Sequence, residues 1–144
     1  MCSDSCCHFV HWNNPVPVVA ALVIHNNNYL IARNAEWPKG VFSLIAGYLE
    51  AGEKPEDAVN REVSEELGLE GTVTRCLGHY SFFEKNQLII AFEVVAEGCL
   101  ATNHELAETL YLSRSELLNY NFGALKMTEQ IINHWAILSA DSGC

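Results

Sequence analysis

Basic residues are scarce in this sequence of 144 residues. Eight Lys and Arg stand against eighteen Asp and Glu, which gives a formal net charge of −10 at neutral pH. Because contacts with phosphates require basic side chains, this balance argues against an extended interface with nucleic acid. A small polyphosphate would meet the same repulsion, so its binding would require divalent cations that bridge the protein acids and the phosphates.

Long apolar segments are also lacking. The longest uncharged apolar stretch is Val16 to Ile24, whereas a helix that crosses a bilayer takes about 20 residues. The first residues, Met-Cys-Ser-Asp-Ser-Cys-Cys-His, have neither the basic start nor the apolar core of a secretory signal, so we expect a cytoplasmic protein with no membrane partner. An apolar fraction of 49% predicts one core, in a single domain at 13–140 after a short tail at 1–12.

The cysteines form no regular disulfide or zinc framework, and in a cytoplasmic chain they should be reduced. Only one cysteine-rich group suggests zinc, and it lacks the second CxxC pair that would complete a ribbon. This group consists of Cys2, Cys6, Cys7, His8 and His11. The sequence leaves open whether it binds metal.

Apolar and turn-forming residues predict several strands. Two β-branched segments, 16–24 and 29–35, flank an Asn-rich turn and predict a hairpin. A short apolar run follows at 41–45. A second hairpin is predicted from strands at 72–83 and 88–97 around a turn at 84–86. A further short strand is predicted near 109–112.

Helix signals occur in the middle and at the end of the chain. Pro55 suits the first turn of a helix and Gly68 suits the position after its end, so we predict a helix from Pro55 to Leu67. A further helix is predicted at 124–138, after a turn that Ser113 caps. These elements favour an α+β fold, an α/β/α sandwich with a mixed, largely antiparallel sheet.

Three glutamates of the predicted middle helix share one face. Glu62 and Glu66 are four residues apart and Glu65 is three from Glu62, while Val59 and its apolar neighbours at four-residue spacing form another face. Like charges at this spacing repel, and a cation would reverse the sign of that interaction. Clustered carboxylate oxygens suit Mg²⁺ or Mn²⁺, although a solvated acidic face is the plain alternative for these three residues alone.

The residues around the three glutamates favour the metal site over the solvated acidic face. The glutamates belong to the longer pattern Gly47-x5-Glu53-x7-Arg61-Glu62-Val63-x-Glu65-Glu66-x-Gly68-Leu69. This pattern matches every position of the Nudix box, and chance agreement at so many fixed positions is roughly below one in a hundred million per starting position. The chain therefore resembles the Nudix hydrolases, also called MutT-like hydrolases.

The resemblance implies an enzyme that uses Mg²⁺, or Mn²⁺, to hydrolyse a nucleoside diphosphate linked to another moiety. It implies that Glu62, Glu65 and Glu66 ligate the cation, with Glu65 and Arg61 also assigned to catalysis. It further implies that the backbone carbonyl of Gly47 approaches the metal and that Glu53 supports the loop and helix. Arg61 could instead be only a partner of Glu65 one helical turn away, and Gly52 and Gly68 serve as turn and cap residues.

The substrate is less well defined. The approach to the box, Ala46-Gly47-Tyr48-Leu-Glu-Ala-Gly52-Glu53, is similar to the form found in NADH pyrophosphatases and ADP-ribose hydrolases. The Ser-Gln-Pro-Trp-Pro-Phe-Pro segment that accompanies NADH activity is replaced by His79-Tyr-Ser-Phe-Phe-Glu-Lys-Asn-Gln87. We therefore expect a small-molecule substrate of the ADP-ribose, dinucleotide or sugar-nucleotide class.

Candidate substrate and catalytic residues follow from chemistry. Adenine binding needs an aromatic face or an apolar slot, for which the candidates are Tyr48, Phe82, Phe83 and Trp37, with ordinary packing as the alternative. Glu105 is favoured over Glu108 as a catalytic base, with a plain loop acid as the alternative.

Other functions remain open at this stage. They are a nucleoside triphosphate pyrophosphohydrolase, a Nudix module that binds nucleotides without cutting them, and an isopentenyl diphosphate isomerase. Dimers are common in the resembling enzymes, so a homodimer is a candidate assembly.

Overall fold

A computed structural model of the protein describes residues 13–141. In that range the chain forms six strands, three α-helices and one turn of 3₁₀-helix at Phe83–Lys85. The strands are β1 Val16–His25, β2 Asn28–Asn34, β3 Ile45–Tyr48, β4 Glu70–Phe82, β5 Gln87–Glu97 and β6 Leu106–Leu112. The helices are α1 Pro55–Leu67, α2 Arg114–Leu118 and α3 Lys126–Asp141.

All six strands join one mixed sheet built around β1. One edge of β1 pairs in parallel with β5 along its full length, from Val16 opposite Gln87 to His25 opposite Ala96. The other edge is shared, because β3 pairs with the first half of β1 and β2 pairs with its end. Strands β4 and β6 form the two outer edges of the sheet.

Alternate residues of β1 supply two cores, one on each face of the sheet. Val18, Ala20 and Leu22 face a core that contains Trp135 and Ile131 of α3. The intervening residues of β1 face a second core, formed with the apolar side of α1, and they are Val19, Ala21 and Val23. Because strand side chains alternate between faces, a strand apolar on both faces suits the centre of three layers. The predicted α/β/α sandwich is therefore confirmed.

Helix α1 begins and ends where its sequence indicates. Pro55 occupies the first turn, where its missing N–H has no helical partner to lose. Gly68 adopts the left-handed conformation at φ 67° and donates its N–H to the carbonyl of Ser64. Glu62 and Glu66 are nevertheless buried beside the apolar stripe, so the acidic and apolar faces adjoin rather than oppose each other.

Two predicted boundaries need correction, and the apolar run 41–45 enters the sheet only at its end. In that run Ser43 makes a single bridge to Ala32, and β3 begins only at Ile45, where the chain meets β1. The turn predicted at 84–86 is a 3₁₀ turn that starts at Phe83, and β6 begins at Leu106 rather than near Thr109. Strands β3 and β6 begin where they pair with strands distant in the sequence, whereas the 3₁₀ turn lies within the hairpin of β4 and β5.

No helix within residues 13–141 is long and apolar enough to cross a membrane.

Candidate active site

The candidate site lies where β3 passes the acidic side of α1. Gly47 is the third residue of β3 and pairs with Val19 of β1. A Cβ atom placed on Gly47 would overlap the carboxylate of Glu62, so glycine allows that carboxylate to lie directly against β3. The Nudix pattern thus brings its first glycine and its first helical glutamate into direct contact.

Glu62 and Glu66 form a buried acidic pair on α1. Their relative exposures are 9% and 5%, which is unusual for carboxylates. Burial, a hydrogen bond with Glu62 and the charges of Glu62, Glu105 and Glu65 raise the pKa of Glu66 well above its ordinary value. The Oε2 atom of Glu66 is buried and has no hydrogen-bond partner among the described residues.

Arg61 lies at the centre of the carboxylates. Its Nε and Nη2 atoms donate to the two oxygens of Glu53 at 2.7 and 3.0 Å. Its Nη1 donates to Glu62 at 2.8 Å and to Glu65 at 3.2 Å. Arg61 is therefore more than a partner of Glu65 one turn away, because it joins the loop before the helix to two glutamates on the helix.

Glu53 connects the loop to this arginine. One carboxylate oxygen accepts the backbone N–H of Glu50 at 3.0 Å in addition to its bond from Arg61. Hydrogen bonds from the Arg61 side chain and from the Glu50 backbone hold the pKa of Glu53 below its ordinary value. Gly52 allows the turn before it at φ 79°. Both oxygens of the Glu53 carboxylate are thus engaged in hydrogen bonds that support the loop.

The donor set suits a hard divalent cation. All candidate ligands are oxygens, and the unpartnered buried Oε2 of Glu66 is an acceptor that needs a positive partner. Within residues 13–141, however, no three His, Cys, Asp or Glu side chains stand so that they could hold a metal ion by themselves. Arg61 donates from Nη1 to both Glu62 and Glu65, so two of the three candidate carboxylates are hydrogen-bonded to it.

The charge of Glu105 acts on the acidic pair, whereas Glu108 is paired with Arg33. The loop before β6 is attached to the end of α1, where Asn103 donates its N–H to the carbonyl of Glu66 at 3.1 Å. This attachment brings Glu105 close enough for its charge to raise the pKa of Glu66. Glu108 instead accepts a 2.7 Å hydrogen bond from Arg33.

A cavity of about 700 Å³ opens on the other face of the sheet, next to Gly47. It begins at Ala46, lies over the first half of β1 and continues to the start of α3. Apolar residues and a few polar groups line it, including Val18, Ala20, Leu44, Ile89, Ile131, Ser43, Gln87, Thr128 and Gln130. Its size and mixed lining are typical of small-molecule sites.

Three of the four aromatic candidates line this cavity. They are Trp37, Phe82 and Phe83, and Phe83 is 85% exposed. Tyr48 does not contribute to the wall. The residue is 61% exposed, and its carbonyl accepts a hydrogen bond from Arg61. Tyr48 as a substrate contact stays a prediction, at a position outside this cavity.

Two other predictions concern the cysteines. The group with Cys2, Cys6, Cys7, His8 and His11 lies outside the described residues, as does the rest of the predicted 1–12 tail. Cys76 and Cys99 are free and exposed.

Sequence reasoning missed Arg33, whose side chain is only 11% exposed and contacts Glu108 and the carbonyl of Trp37. The available signal was an arginine inside an apolar strand, in a chain with only eight basic residues. A basic side chain at such a position needs a partner. It also missed Glu50, whose carboxylate lies 3.6 Å from Arg61.

The fold, the acidic helix and its glycine together define the class of protein. A NUDIX domain family model matches residues 15–131, and the chain therefore belongs to the Nudix family. The family predicted from the box is thus confirmed.

Sequence relatives are bacterial and mitochondrial proteins. The chain is similar to the NAD-capped RNA hydrolase NudC of Mycobacterium tuberculosis, with 35% identity over 105 residues that make up 70% of this chain and 34% of that protein. It is also similar to a mitochondrial NAD(P)H pyrophosphatase of Mus musculus, with 43% identity over 61 residues, 42% of this chain and 17% of that protein. The chain therefore matches about a third or less of the length of these relatives.

Solved structures agree on the fold. A Nudix hydrolase from Nitrosomonas europaea has a TM-score of 0.76 and 23% identity, covering 88% of this chain and 72% of that one. An ADP-ribose pyrophosphatase from Streptococcus suis has a TM-score of 0.70 and 18% identity, covering 88% and 92%. At such identities the likeness supports the fold alone.

Proposed function

We propose that this protein is a metal-dependent pyrophosphohydrolase that cleaves the diphosphate of a nucleoside diphosphate linked to another moiety. The observation that carries the proposal is the placement of two consecutive residues of β3. Ala46 lines the cavity, and Gly47 contacts Glu62 of the acidic helix. We infer that a nucleoside in the cavity would extend its phosphates past β3 to the carboxylates on the α1 side.

We propose Mg²⁺ as the physiological cation, with Mn²⁺ as a substitute. Mg²⁺ is usually bound through one or two carboxylates, with waters and substrate phosphates completing its coordination. Glu62 and Glu66 fit that requirement, and Glu65 and the carbonyl of Gly47 are further oxygens from the same motif. When bound, the cation would supply positive charge to the diphosphate and promote attack by water at phosphorus.

The protein's own groups would orient and activate the reactants. Arg61 holds Glu53, Glu62 and Glu65 with one guanidinium, which fixes the acidic side chains relative to the loop. Glu65 and Glu105 are the candidates for accepting the proton of the attacking water. The role of Glu65 as the base is supported by its side chain, which is 55% exposed. The role of Glu105 is supported by the effect of its charge on Glu66.

For the substrate we propose the ADP-ribose, dinucleotide or sugar-nucleotide class. The relatives named as acting on NAD-capped RNA and NAD(P)H support the dinucleotide part of this class. Trp37, Phe82 and Phe83 offer the aromatic faces that a base requires. The net charge of −10 favours a small molecule over extended nucleic acid.

Two further proposals concern the compartment and the assembly of the protein. The free, exposed thiols of Cys76 and Cys99 are in keeping with a reducing compartment, which supports a cytoplasmic location. A homodimer stays a candidate assembly, and sedimentation of the purified protein tests it.

A substrate panel tests the function. The protein is incubated with Mg²⁺ and with ADP-ribose, NADH, diadenosine tetraphosphate, a sugar nucleotide or deoxynucleoside triphosphates, and the products are identified by chromatography. We expect AMP or another mononucleotide from the linked diphosphates. Preferential release of pyrophosphate from triphosphates would indicate a triphosphate pyrophosphohydrolase instead, and no turnover of any member would contradict the proposal.

Matched variants separate chemistry from folding. Glu65→Gln and Glu66→Gln should each lower kcat by at least about a hundredfold, because each removes a charge that acts at the reacting centre. Glu56→Gln removes an exposed acid from the first turn of the same helix and should keep full activity. Equal activity in all three variants would refute the metal assignment.

A further inference from the structure

A short loop after β2 forms one side of the mouth of the cavity. Trp37 is half-buried and lines the cavity, and its backbone N–H donates to the carbonyl of Asn34 at 3.0 Å. The side chain of Asn34 accepts the N–H of Glu36 at 2.9 Å. These local bonds shape the loop, but they do not fix it relative to the sheet.

An arginine connects the loop to the sheet. Arg33 donates from Nη1 to the carbonyl of Trp37 at 2.8 Å and from Nε to Glu108 at 2.7 Å. Its side chain is 11% exposed, whereas that of Glu108 is 50% exposed. Because charge-assisted hydrogen bonds of a mostly buried guanidinium are strong and its planar fork fixes their directions, these two bonds restrict where the Trp37 backbone can lie.

The segment that leads into β6 holds the loop at a second point. Ala35 donates its N–H to the carbonyl of Glu105 at 2.8 Å. The segment from Glu105 into β6 therefore contacts the loop twice, once through the backbone of Glu105 and once through Glu108 and Arg33. The charge of the Glu105 carboxylate also raises the pKa of Glu66.

From these contacts we propose that Arg33, held by Glu108, is a positioning residue that sets the Trp37 side chain for binding the nucleoside part of the substrate. The inference rests on the proposed function in that it takes the cavity as the nucleoside site. Arg33 touches neither phosphates nor reacting atoms. Its effect is on binding, through Trp37.

The test measures nucleoside binding separately from turnover. AMP is titrated into the protein in EDTA and its dissociation constant is measured by calorimetry, for the wild type, Arg33→Met, Glu108→Gln, Trp37→Ala and the double variant Arg33→Met/Trp37→Ala. Arg33→Met should raise the dissociation constant about fivefold to tenfold, because a displaced indole no longer matches the base. Glu108→Gln keeps an acceptor for Arg33 and should have a smaller effect.

The double variant identifies the route of the effect. If Arg33 acts through Trp37, adding Arg33→Met to Trp37→Ala should change the dissociation constant by less than about twofold. An undiminished effect in that background, no effect in the single variant, or no AMP binding by the wild type would each overturn the proposal. Where turnover is measurable, KM should rise with the dissociation constant while kcat stays within about twofold.

Arg114→Met is the matched control. Arg114 also stands by a tryptophan, with its guanidinium carbon 4.6 Å from the ring centre of Trp135, but neither residue lines the cavity. This variant should lower the melting temperature and leave AMP binding unchanged. A protein that hydrolyses none of the substrates could still bind AMP in a way that depends on Arg33. That result would refute the proposed function and leave this inference standing.

Discussion

At the scale of single residues, Glu66 carries the largest electrostatic conflict in the described chain. Its carboxylate is buried, it faces Glu62, and one of its oxygens has no partner. Two adjacent buried acids cannot both be ionised without cost, and a divalent cation relieves that cost. Under the proposed function, binding of the cation would offset the free energy that this acidic pair costs the metal-free fold.

Replacing this residue should affect stability in two ways. In EDTA at pH 8, Glu66→Gln should raise the melting temperature, because it removes one of two adjacent buried acids. It should also remove most of the increase in melting temperature that millimolar Mg²⁺ gives the wild type, since binding to the native state alone is stabilising. Differential scanning fluorimetry checks both effects, and an unchanged response to Mg²⁺ would exclude Glu66 as a ligand.

Glu53 allows a prediction about pH. Hydrogen bonds from the Arg61 side chain and the Glu50 backbone lower the pKa of Glu53 from its ordinary value of 4.5. A lowered pKa means that the ionised group stabilises the fold above about pH 4.5 and that this contribution is lost as the pH falls through the lower folded value. Glu53→Gln should therefore melt below the wild type at pH 7, and the gap should shrink as the pH falls below about 4.5. A gap that stays constant down to pH 3.5 would contradict this assignment.

At the scale of elements, the contact between β3 and α1 depends on the absence of one side chain. Gly47→Ala should fold but lose at least about tenfold in kcat, because the added methyl group displaces the Glu62 carboxylate. Gly52→Ala in the same motif is the control, as a Cβ there meets no atom within 4 Å and only the positive φ is unfavourable. It should lower stability by about 1 kcal/mol and leave kcat within about twofold. Equal losses of kcat in both variants would show that the Glu62 contact has no special role.

The elements also show how far sequence reasoning extends. The limits of α1 could be predicted because Pro55, Gly68 and the apolar stripe are local signals, and the box spacing placed its glutamates together. The start of β3 could not, since Ile45 becomes a strand residue only by pairing with Ala21 of β1. The cavity and the bond from Arg33 to Glu108 join residues that are far apart in the sequence, and a single sequence has no local signal for which partners will meet.

At the scale of the whole molecule, the excess of acid should make stability depend on salt. The net charge of −10 produces self-repulsion that ions screen. Raising NaCl from about 10 mM to about 150 mM in EDTA shortens the screening length from about 30 Å to about 8 Å, so the melting temperature should rise. Choline chloride should give the same rise if screening is the cause, and a fall in either salt would contradict it.

The parallel pairing of β1 with β5 has a consequence for synthesis. The central strand is synthesised before β5, so its long edge has no partner until residues 87–96 have left the ribosome. Until then a strongly apolar strand is unpaired along one side, which is a template for pairing between nascent chains. Ribosome-bound chains in which residue 87 has not yet emerged should therefore bind chaperones more strongly than chains in which residue 97 has emerged.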